Sequence, residues 1–233
     1  MLKSYLKQIY LHLRVGASPS QIKYYSVWKN ALKPGASSVK DQQPWITFQA
    51  IDFLNKVIKK NSKVFEFGGG GSTLFFTSRA GEVVTTEHNK EWFAVLSDVV
   101  KKKSITNWKG NMIEATKGDL FPIPEKANPD HYSSGDKESK GFNYKTYAMS
   151  IDKFEDEYFD FILVDGRSRP ACIKHSLPKL KKNGYLVVDN SDREYYLEYF
   201  KDKLAKNFVR ELDGFGPTPY LKHFTKTTVW RKK

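Results

Sequence analysis

A run of four consecutive glycines, Gly68 to Gly71, constrains the fold more than any other feature of this 233-residue sequence. The apolar segment VFEF precedes the run, and the helix-prone segment LFFTSRA follows shortly after it. A strand, a glycine-rich turn and a helix in this order are typical of α/β proteins that bind a ligand at the turn. Glycine lets the backbone approach a ligand closely, at an entropic cost. The run therefore predicts a ligand-binding loop.

Strand-like and helix-like segments alternate after the loop, which indicates right-handed crossovers and a parallel sheet covered by helices on both faces. Only about ten residues and no helix separate the last two strand-like segments, so we expect antiparallel pairing there. The prediction is a three-layer Rossmann-like α/β fold with a seven-stranded, mostly parallel sheet, an antiparallel last strand and N-terminal helices. The seven predicted strands lie near residues 63–68, 82–87, 105–115, 158–165, 185–190, 208–215 and 225–232.

Two segments fall outside this alternation. Residues 1–44 form a predicted N-terminal helical extension to a main domain spanning residues 45–233. Its first helix, over residues 2–14, is amphipathic; it caps the domain, pairs with a second copy in a homodimer or lies on a membrane surface, and the first two are favoured. Residues 116–145 are rich in proline, glycine, serine and charge, and predict a lid-like insert next to the ligand site.

The net charge of +13 is compatible with a partner that is nucleic acid, a membrane surface or an anionic substrate. Because the lysines are scattered and no nucleic-acid motif is present, a lysine-rich solvated surface is favoured. A single cysteine excludes a disulfide framework. No apolar run reaches the roughly 18 residues of a membrane span, and no signal peptide is recognisable, so we expect a cytoplasmic location.

The residues around the glycines narrow the choice of ligand. No lysine follows Gly71, so the loop is not a phosphate-binding P-loop, and Thr73 replaces the third glycine of a dinucleotide fingerprint. Glu66 would repel a pyrophosphate but would favour a cationic ligand such as S-adenosylmethionine. Glu87 ends the second strand, about 20 residues downstream, where an acid accepts the ribose hydroxyls.

The motif EFGGGGS resembles the first motif of the class I S-adenosylmethionine-dependent methyltransferases, E/D-x-G-x-G-x-G, with Ser72 in place of the third glycine. The resemblance extends over roughly residues 45–233, and the longer pattern is similar to an uncharacterised bacterial methyltransferase group. We expect Ser72 to start the following helix. The resemblance implies S-adenosylmethionine as cofactor and the contacts Glu66, Gly68, Gly69, Gly70, Ser72, Thr73, Glu87, His88, Asp165 and Gly166.

Acids also follow the fourth and fifth strands. Asp165, Asp189 and Asn190 resemble the metal ligands of cation-dependent O-methyltransferases and suit Mg²⁺. The alternative is that Asp165 orients the acceptor or the cofactor without metal, while Asp189 and Asn190 close a turn. In either case Asp165 is the candidate catalytic residue.

The predicted function is O-methylation of a small molecule or glycan. Arg167, Arg169 and Arg193 would suit an anionic acceptor, or are surface arginines paired with neighbouring acids. His223 is a further candidate base. Two alternatives stay open: an RNA methyltransferase, less favoured because no nucleic-acid motif is present, and a non-catalytic module that binds the cofactor or a partner.

Overall fold

The computed structural model describes residues 1–118 and 124–233. Within them, seven strands form one sheet, and the longest, β5, carries consecutive apolar residues, as a strand covered on both faces does. The strands are β1 Lys63–Phe67, β2 Glu82–Glu87, β3 Trp108–Met112, β4 Phe159–Val164, β5 Leu180–Asp189, β6 Phe208–Gly216 and β7 Thr225–Lys232.

The sheet has the order β3-β2-β1-β4-β5-β7-β6. Strands β1 to β5 pair in parallel, whereas β7 lies antiparallel to both β5 and β6. The predicted seven-stranded sheet with an antiparallel last strand is therefore confirmed. Since β1 and β4 are central neighbours, the loops after them meet at one edge of the sheet.

Helices cover both faces. They are α1 Leu2–Leu11, α2 Tyr25–Ala31, α3 Ser38–Asp41, α4 Phe48–Val57, α5 Gly71–Thr77, α6 Lys90–Lys102, α7 Lys145–Ala148, α8 Arg169–Lys179 and α9 Lys201–Asn207. Short 3-10 helices lie at Leu13–Val15, Pro19–Tyr24, Pro129–His131, Lys137–Ser139, Met149–Ile151, Glu194–Tyr196 and Glu198–Phe200.

Neighbouring residues of each strand enter opposite cores, as the two-residue period of a strand requires. Val64 of β1 packs in one cluster with Leu54 of α4 and Tyr5 of α1. Phe65 packs in a second cluster with Ile173 of α8 on the other face. The N-terminal helices thus contribute to the same hydrophobic core as the sheet.

Hydrogen bonds join the N-terminal helices to the C-terminal part of the chain. The Trp28 indole N–H donates to the Leu221 carbonyl at 2.8 Å. Within the N-terminal segment itself, the Tyr5 hydroxyl donates to the Gln21 carbonyl at 2.6 Å. The Gln8 side chain donates to the Lys222 carbonyl and accepts from the Phe224 amide, at 2.6 and 2.7 Å. The segment before β7 is therefore held by α1 and α2.

One predicted helix was wrong in extent. The pattern of residues 193–206 predicts a continuous helix, but two 3-10 helices precede α9, which begins only at Lys201. Tyr196 and Phe200 are nevertheless buried at the predicted helical spacing. Packing of these two rings against the sheet determines the local backbone more strongly than helix propensity does.

The insert has more structure than its composition predicts. Thr116–Lys117 pairs antiparallel with Phe142–Asn143, and the Tyr132 hydroxyl lies 3.3 Å from His175 Nε2 on α8. The part of the prediction that falls on residues 119–123 lies outside the described residues. Among the described residues no helix is both long and apolar enough to cross a bilayer.

Candidate functional site

A cavity of about 560 Å³ opens at the carboxyl ends of β1, β2, β4 and β5. Its size suits a nucleoside-sized ligand with a second small molecule beside it. The residues that line it are Ser38, Trp45, Gly68, Gly69, Gly70, Gly71, Ser72, Glu87, His88, Asn89, Trp92, Asp165, Gly166, Arg167, Arg169, Asp189, Asn190 and Leu221.

The glycine loop forms the floor of the cavity. Gly68 has a φ of 88°, and a side chain there would come within 3.0 Å of the Gly166 backbone. Its amide donates to the Thr86 carbonyl at 2.9 Å, which continues the pairing of β1 with β2. Only glycine combines this conformation with this close approach. The loop after β1 therefore lies directly against the loop after β4.

Glu66 lies beneath the loop rather than in the cavity wall. It has no exposed surface, and it accepts hydrogen bonds from the hydroxyls of Ser72 at 2.6 Å, Thr85 at 2.7 Å and Thr73. Burial raises the pKa of Glu66 to about 7, against the opposing effect of these hydroxyls. Glu66 therefore lies outside the cavity wall and supports the glycine loop from below.

Ser72 and Thr73 differ in their access to the cavity. Helix α5 begins at Gly71, and Ser72 does not cap it, because its hydroxyl donates downward to Glu66. Thr73 is fully buried and lies outside the cavity wall, and its hydroxyl oxygen accepts from the Gly70 amide at 3.0 Å. Ser72 lines the cavity, so of the two only Ser72 is positioned for direct contact with a ligand.

Glu87, unlike Glu66, lines the cavity, and its side chain is 4% exposed. Its Oε2 accepts from the Gly69 amide at 3.0 Å, and its Oε1 accepts from the amides of His88 and Asn89, each at 2.8 Å. Burial opposes ionisation, but these hydrogen bonds and the nearby imidazole keep the pKa of Glu87 below its usual value. The result is a fixed, ionised carboxylate next to the glycine loop.

His88 and Arg167 form the wall beside Glu87. His88 Nδ1 lies 2.9 Å from Glu87 Oε1, and Arg167 Nε donates to His88 Nε2 at 3.4 Å. The guanidinium also pairs with Asp136 at 3.1 Å and Glu138 at 3.5 Å, both in the insert. Through these ion pairs Arg167 connects the insert to the cavity wall. The two acids compensate its positive charge.

The ends of β4 and β5 carry a charged cluster. Arg169 lies between two carboxylates, with Nη2 at 3.0 Å from Asp165 Oδ1 and Nη1 at 3.8 Å from Asp189 Oδ2. It also donates to the backbone carbonyls of Gly166, at 3.0 Å, and of Asp189. Thr227 donates to Asp189 Oδ1 at 2.7 Å. Asp189 is thereby held by Arg169 and Thr227.

The two acids of this cluster differ in access to the cavity. The Asp165 side chain is 20% exposed, whereas that of Asp189 is 3% exposed. Burial and the charge of Asp189 hold the pKa of Asp165 well above its usual value, although Arg169 opposes the shift. Burial also raises the pKa of Asp189. Asp165 is therefore an accessible carboxylate with an increased affinity for a proton.

The predicted Mg²⁺ ligands do not fit a metal. The guanidinium of Arg169 already lies against both Asp165 and Asp189, and a divalent cation there would be repelled by it. Within residues 1–118 and 124–233, no group of three His, Cys, Asp or Glu side chains is arranged to hold a metal ion. The expectation of Mg²⁺ therefore gains no support.

The remaining sequence candidates differ in whether they reach the cavity. Asn190 lines the cavity, with a φ of 48° in the turn after β5. Trp45, just before α4, lines it as well. Arg193 donates to the Tyr196 hydroxyl at 2.9 Å, and neither it nor the exposed His223 reaches the cavity. Cys172 is buried in α8. His223 is thus not positioned to act as a base.

Sequence reasoning missed two residues that shape the loop. The Trp92 indole N–H donates to the Gly69 carbonyl at 2.7 Å, so a side chain of α6 fixes the loop from above. Asn89 caps α6 by accepting from the Trp92 amide at 2.9 Å. The segment HNKEW carried the signal for the cap, because asparagine is favoured just before a helix. No local signal identifies the contact of Trp92 with the loop.

A second cavity of about 240 Å³ adjoins the first. The two cavities share His88, Asn89 and Arg167 as a common wall. The residues that line the second are His88, Asn89, Glu114, Ala115, Glu138, Ser139, Phe142, Tyr144 and Arg167. It lies next to the insert, and neither Glu87 nor Asp165 is among the residues that line it.

Comparisons with known proteins bear on the fold. No family model matches the sequence, and a search of curated proteins finds no relative. An O-methyltransferase from Bacillus cereus, solved in complex with SAH (S-adenosylhomocysteine), is similar with a TM-score of 0.56 at 14% identity, over 100% of both chains.

Two RNA-modifying enzymes are similar as well. An rRNA methylase from Streptococcus thermophilus has a TM-score of 0.52 at 16% identity, covering 79% of this chain and 94% of its own. A tRNA (m1A58) methyltransferase from Aquifex aeolicus has a TM-score of 0.51 at 15% identity, covering 84% and 76%.

This chain has the methyltransferase fold. At these identities the similarity concerns the fold, and the predicted resemblance to the class I methyltransferases is confirmed at that level. The same fold carries O-methyltransferases and RNA methylases, so the acceptor has to be argued from the site.

Proposed function

We propose that the protein is an S-adenosylmethionine-dependent methyltransferase that methylates a hydroxyl group of a small molecule or glycan. Glu87 carries the proposal, because a fixed, ionised carboxylate beside a glycine loop is what the two hydroxyls of a ribose require. The SAH complex of the Bacillus cereus fold relative supports the choice of cofactor.

The charge of the cavity supports a cofactor without phosphate. Arg167 is paired with Asp136 and Glu138, and Arg169 with Asp165 and Asp189. A pyrophosphate would therefore find no uncompensated arginine in the cavity wall, while Glu87 would repel it. The sulfonium and ammonium groups of S-adenosylmethionine suit this environment. The same pairing argues against a strongly anionic acceptor.

We assign the adenine to the second cavity. It adjoins the Glu87 site through His88 and Asn89, as a base attached to the bound ribose must. Glu114 offers a carboxylate that can accept from the exocyclic amino group, and Tyr144 and Phe142 offer apolar surface. The methyl group then points away from this cavity, toward Asp165.

Asp165 would act as the base. Methyl transfer is an in-line displacement at the sulfonium carbon, and its rate depends chiefly on alignment of the acceptor oxygen with that carbon. A carboxylate with a raised pKa accepts a proton from the attacking hydroxyl more readily than an ordinary aspartate does. Arg169 holds Asp165 in place, and Asp189 raises its proton affinity.

RNA methylation is the second candidate. The net charge of +13 and the two RNA-modifying fold relatives favour it. The compensated arginines of the cavity do not supply phosphate contacts at the site of transfer. RNA binding that falls steeply with added salt, together with methyl transfer to RNA, would favour this candidate over a hydroxylated small molecule.

The test is calorimetry followed by transfer of a labelled methyl group. S-adenosylmethionine and S-adenosylhomocysteine should bind, and NAD should not. Labelled cofactor is then offered with neutral sugars, phenols and RNA as separate acceptors. Preferential binding of NAD would overturn the cofactor assignment, and cofactor binding without transfer to any acceptor would favour a non-catalytic binding module.

A further inference from the structure

Helix α1 uses only part of its apolar surface inside the protein. Tyr5 and Ile9 are buried against the domain. Leu2, Leu6 and Tyr10 follow one another at four-residue spacing and are exposed, Tyr10 to 75%. Residues four apart lie on the same side of a helix, so these three form a continuous exposed apolar stripe beside the buried one.

Basic residues border this stripe. Lys3 and Lys7 follow Leu2 and Leu6 directly and are exposed. Among the described residues, neither lysine forms an ion pair, and Arg14 does not either. Residues 1–40 contain seven of the chain's 39 lysines and arginines and none of its 26 aspartates and glutamates. This end of the protein is positive and has no acidic residue of its own.

We propose that this face of α1, defined by Leu2, Leu6, Tyr10, Lys3 and Lys7, docks on an anionic lipid bilayer. An apolar stripe bordered by lysines lies in the plane of a membrane interface, with its apolar residues among the acyl chains and its lysines at the headgroups. The charge of the face complements an anionic surface, since each lysine near such a surface adds to binding.

Two other occupants fit less well. Contact between two copies of this face would bring their lysines together without an acidic partner, which is unfavourable. RNA would engage the lysines through its phosphates but would leave the leucines without a partner. Unlike these two, a bilayer uses the apolar and the basic residues together.

Vesicle flotation of the full chain tests the proposal. Binding is expected to vesicles that contain phosphatidylglycerol and to be much weaker with phosphatidylcholine alone. The double substitution Lys3→Gln with Lys7→Gln should weaken partitioning by about fivefold per lysine. Leu6→Gln with Tyr10→Gln should weaken it by a similar factor or more, because polar side chains would replace inserted ones.

Matched variants control for charge and exposure. Lys101→Gln with Lys102→Gln removes two exposed lysines from α6, and Tyr199→Gln replaces a tyrosine that is 54% exposed. These should leave partitioning within twofold, and all variants should melt at the temperature of the parent because every substituted side chain is exposed.

Three outcomes would overturn the proposal. Equal losses from the α6 lysines would indicate general charge attraction. Retained binding in Leu6→Gln with Tyr10→Gln, accompanied by RNA binding that depends on Lys3 and Lys7, would make the face a nucleic-acid surface. Absence of vesicle binding, with a dimer in light scattering that Leu6→Gln dissociates, would make it a contact between copies.

Discussion

At the scale of single residues, we expect Glu87 to be the most sensitive position for cofactor binding. Glu87→Gln replaces one carboxylate oxygen by an amide that cannot accept from the Gly69 amide or a ribose hydroxyl. The loss of a charged hydrogen bond predicts about 10- to 100-fold weaker binding of S-adenosylmethionine in calorimetry. Glu91→Gln, an exposed residue of α6, is the control and should bind normally. Equal weakening in both variants would contradict the ribose assignment.

Asp165 is expected to affect turnover rather than cofactor binding. Asp165→Asn removes the proton acceptor but keeps the size of the side chain, so kcat should fall by about 10²- to 10⁴-fold while cofactor affinity changes little. In the parent, activity should fall on the acidic side as Asp165 takes up a proton, with a midpoint well above the usual range because its pKa is raised. A variant that kept this acidic limb would show that another group is the base.

Glu66 is expected to make stability depend on pH. Its pKa is about 7 in the folded protein against a usual value of 4.5, so the native state holds its proton more tightly than the unfolded state. The contribution of Glu66 to the free energy of unfolding should therefore be highest below pH 4.5 and should decrease by about 3 kcal/mol as the pH rises to 7. Urea unfolding of Glu66→Gln should lack this decrease. If the free energy of unfolding of parent and variant changed with pH in the same way, this prediction would be wrong.

At the scale of elements, the glycine loop and α5 are closed from above by the segment around α3. A side chain at Gly71 would lie 2.2 Å from the Ser38 carbonyl oxygen and 2.3 Å from that of Gln43. Backbone atoms cannot move aside easily, so Gly71→Ala should lower the free energy of unfolding by about 1–3 kcal/mol.

Gly70 provides the control within the same loop. Its backbone is extended, with a φ of 166°, and a side chain there would contact Trp92 at an ordinary 3.5 Å. Gly70→Ala should therefore unfold at nearly the temperature of the parent. Equal destabilisation by the two alanines would mean that flexibility of the loop, and not the contact with Ser38, requires glycine at position 71.

The elements that the sequence predicted well are those with strong local patterns. Alternating strands and helices, the glycine run and Glu87 at a strand end were all visible, because periodicity and chain order determine them. The position of Arg169 between Asp165 and Asp189 was not visible in the sequence, although Arg169 is only four residues after Asp165. Its contact with Asp189 joins positions 20 apart and depends on the sheet order. Glu66 was predicted as a cofactor contact for a similar reason. The sequence does not show that the hydroxyls of Ser72, Thr73 and Thr85 converge on its carboxylate in the fold.

At the scale of the whole molecule, a bound cofactor should stabilise the folded chain. A ligand at 100 times its Kd adds about 2.7 kcal/mol to the free energy of unfolding, which corresponds to roughly 5–10 °C in Tm for a chain of this size. S-adenosylhomocysteine should produce such a shift in a thermal melt, and NAD at the same concentration should not. A larger shift with NAD would indicate a dinucleotide site.

The hydrogen bonds between α1 and the segment before β7 affect the order in which parts of the chain can pack during translation. Gln8 pairs with backbone groups 214 and 216 positions later in the chain. At about 5–20 residues per second, translation leaves the helix without these partners for roughly 10–40 s. For that time Tyr5, which the finished protein buries, also lacks its contact with the ring of Phe224. The end of the chain that leaves the ribosome early is thus among the last parts to complete its packing.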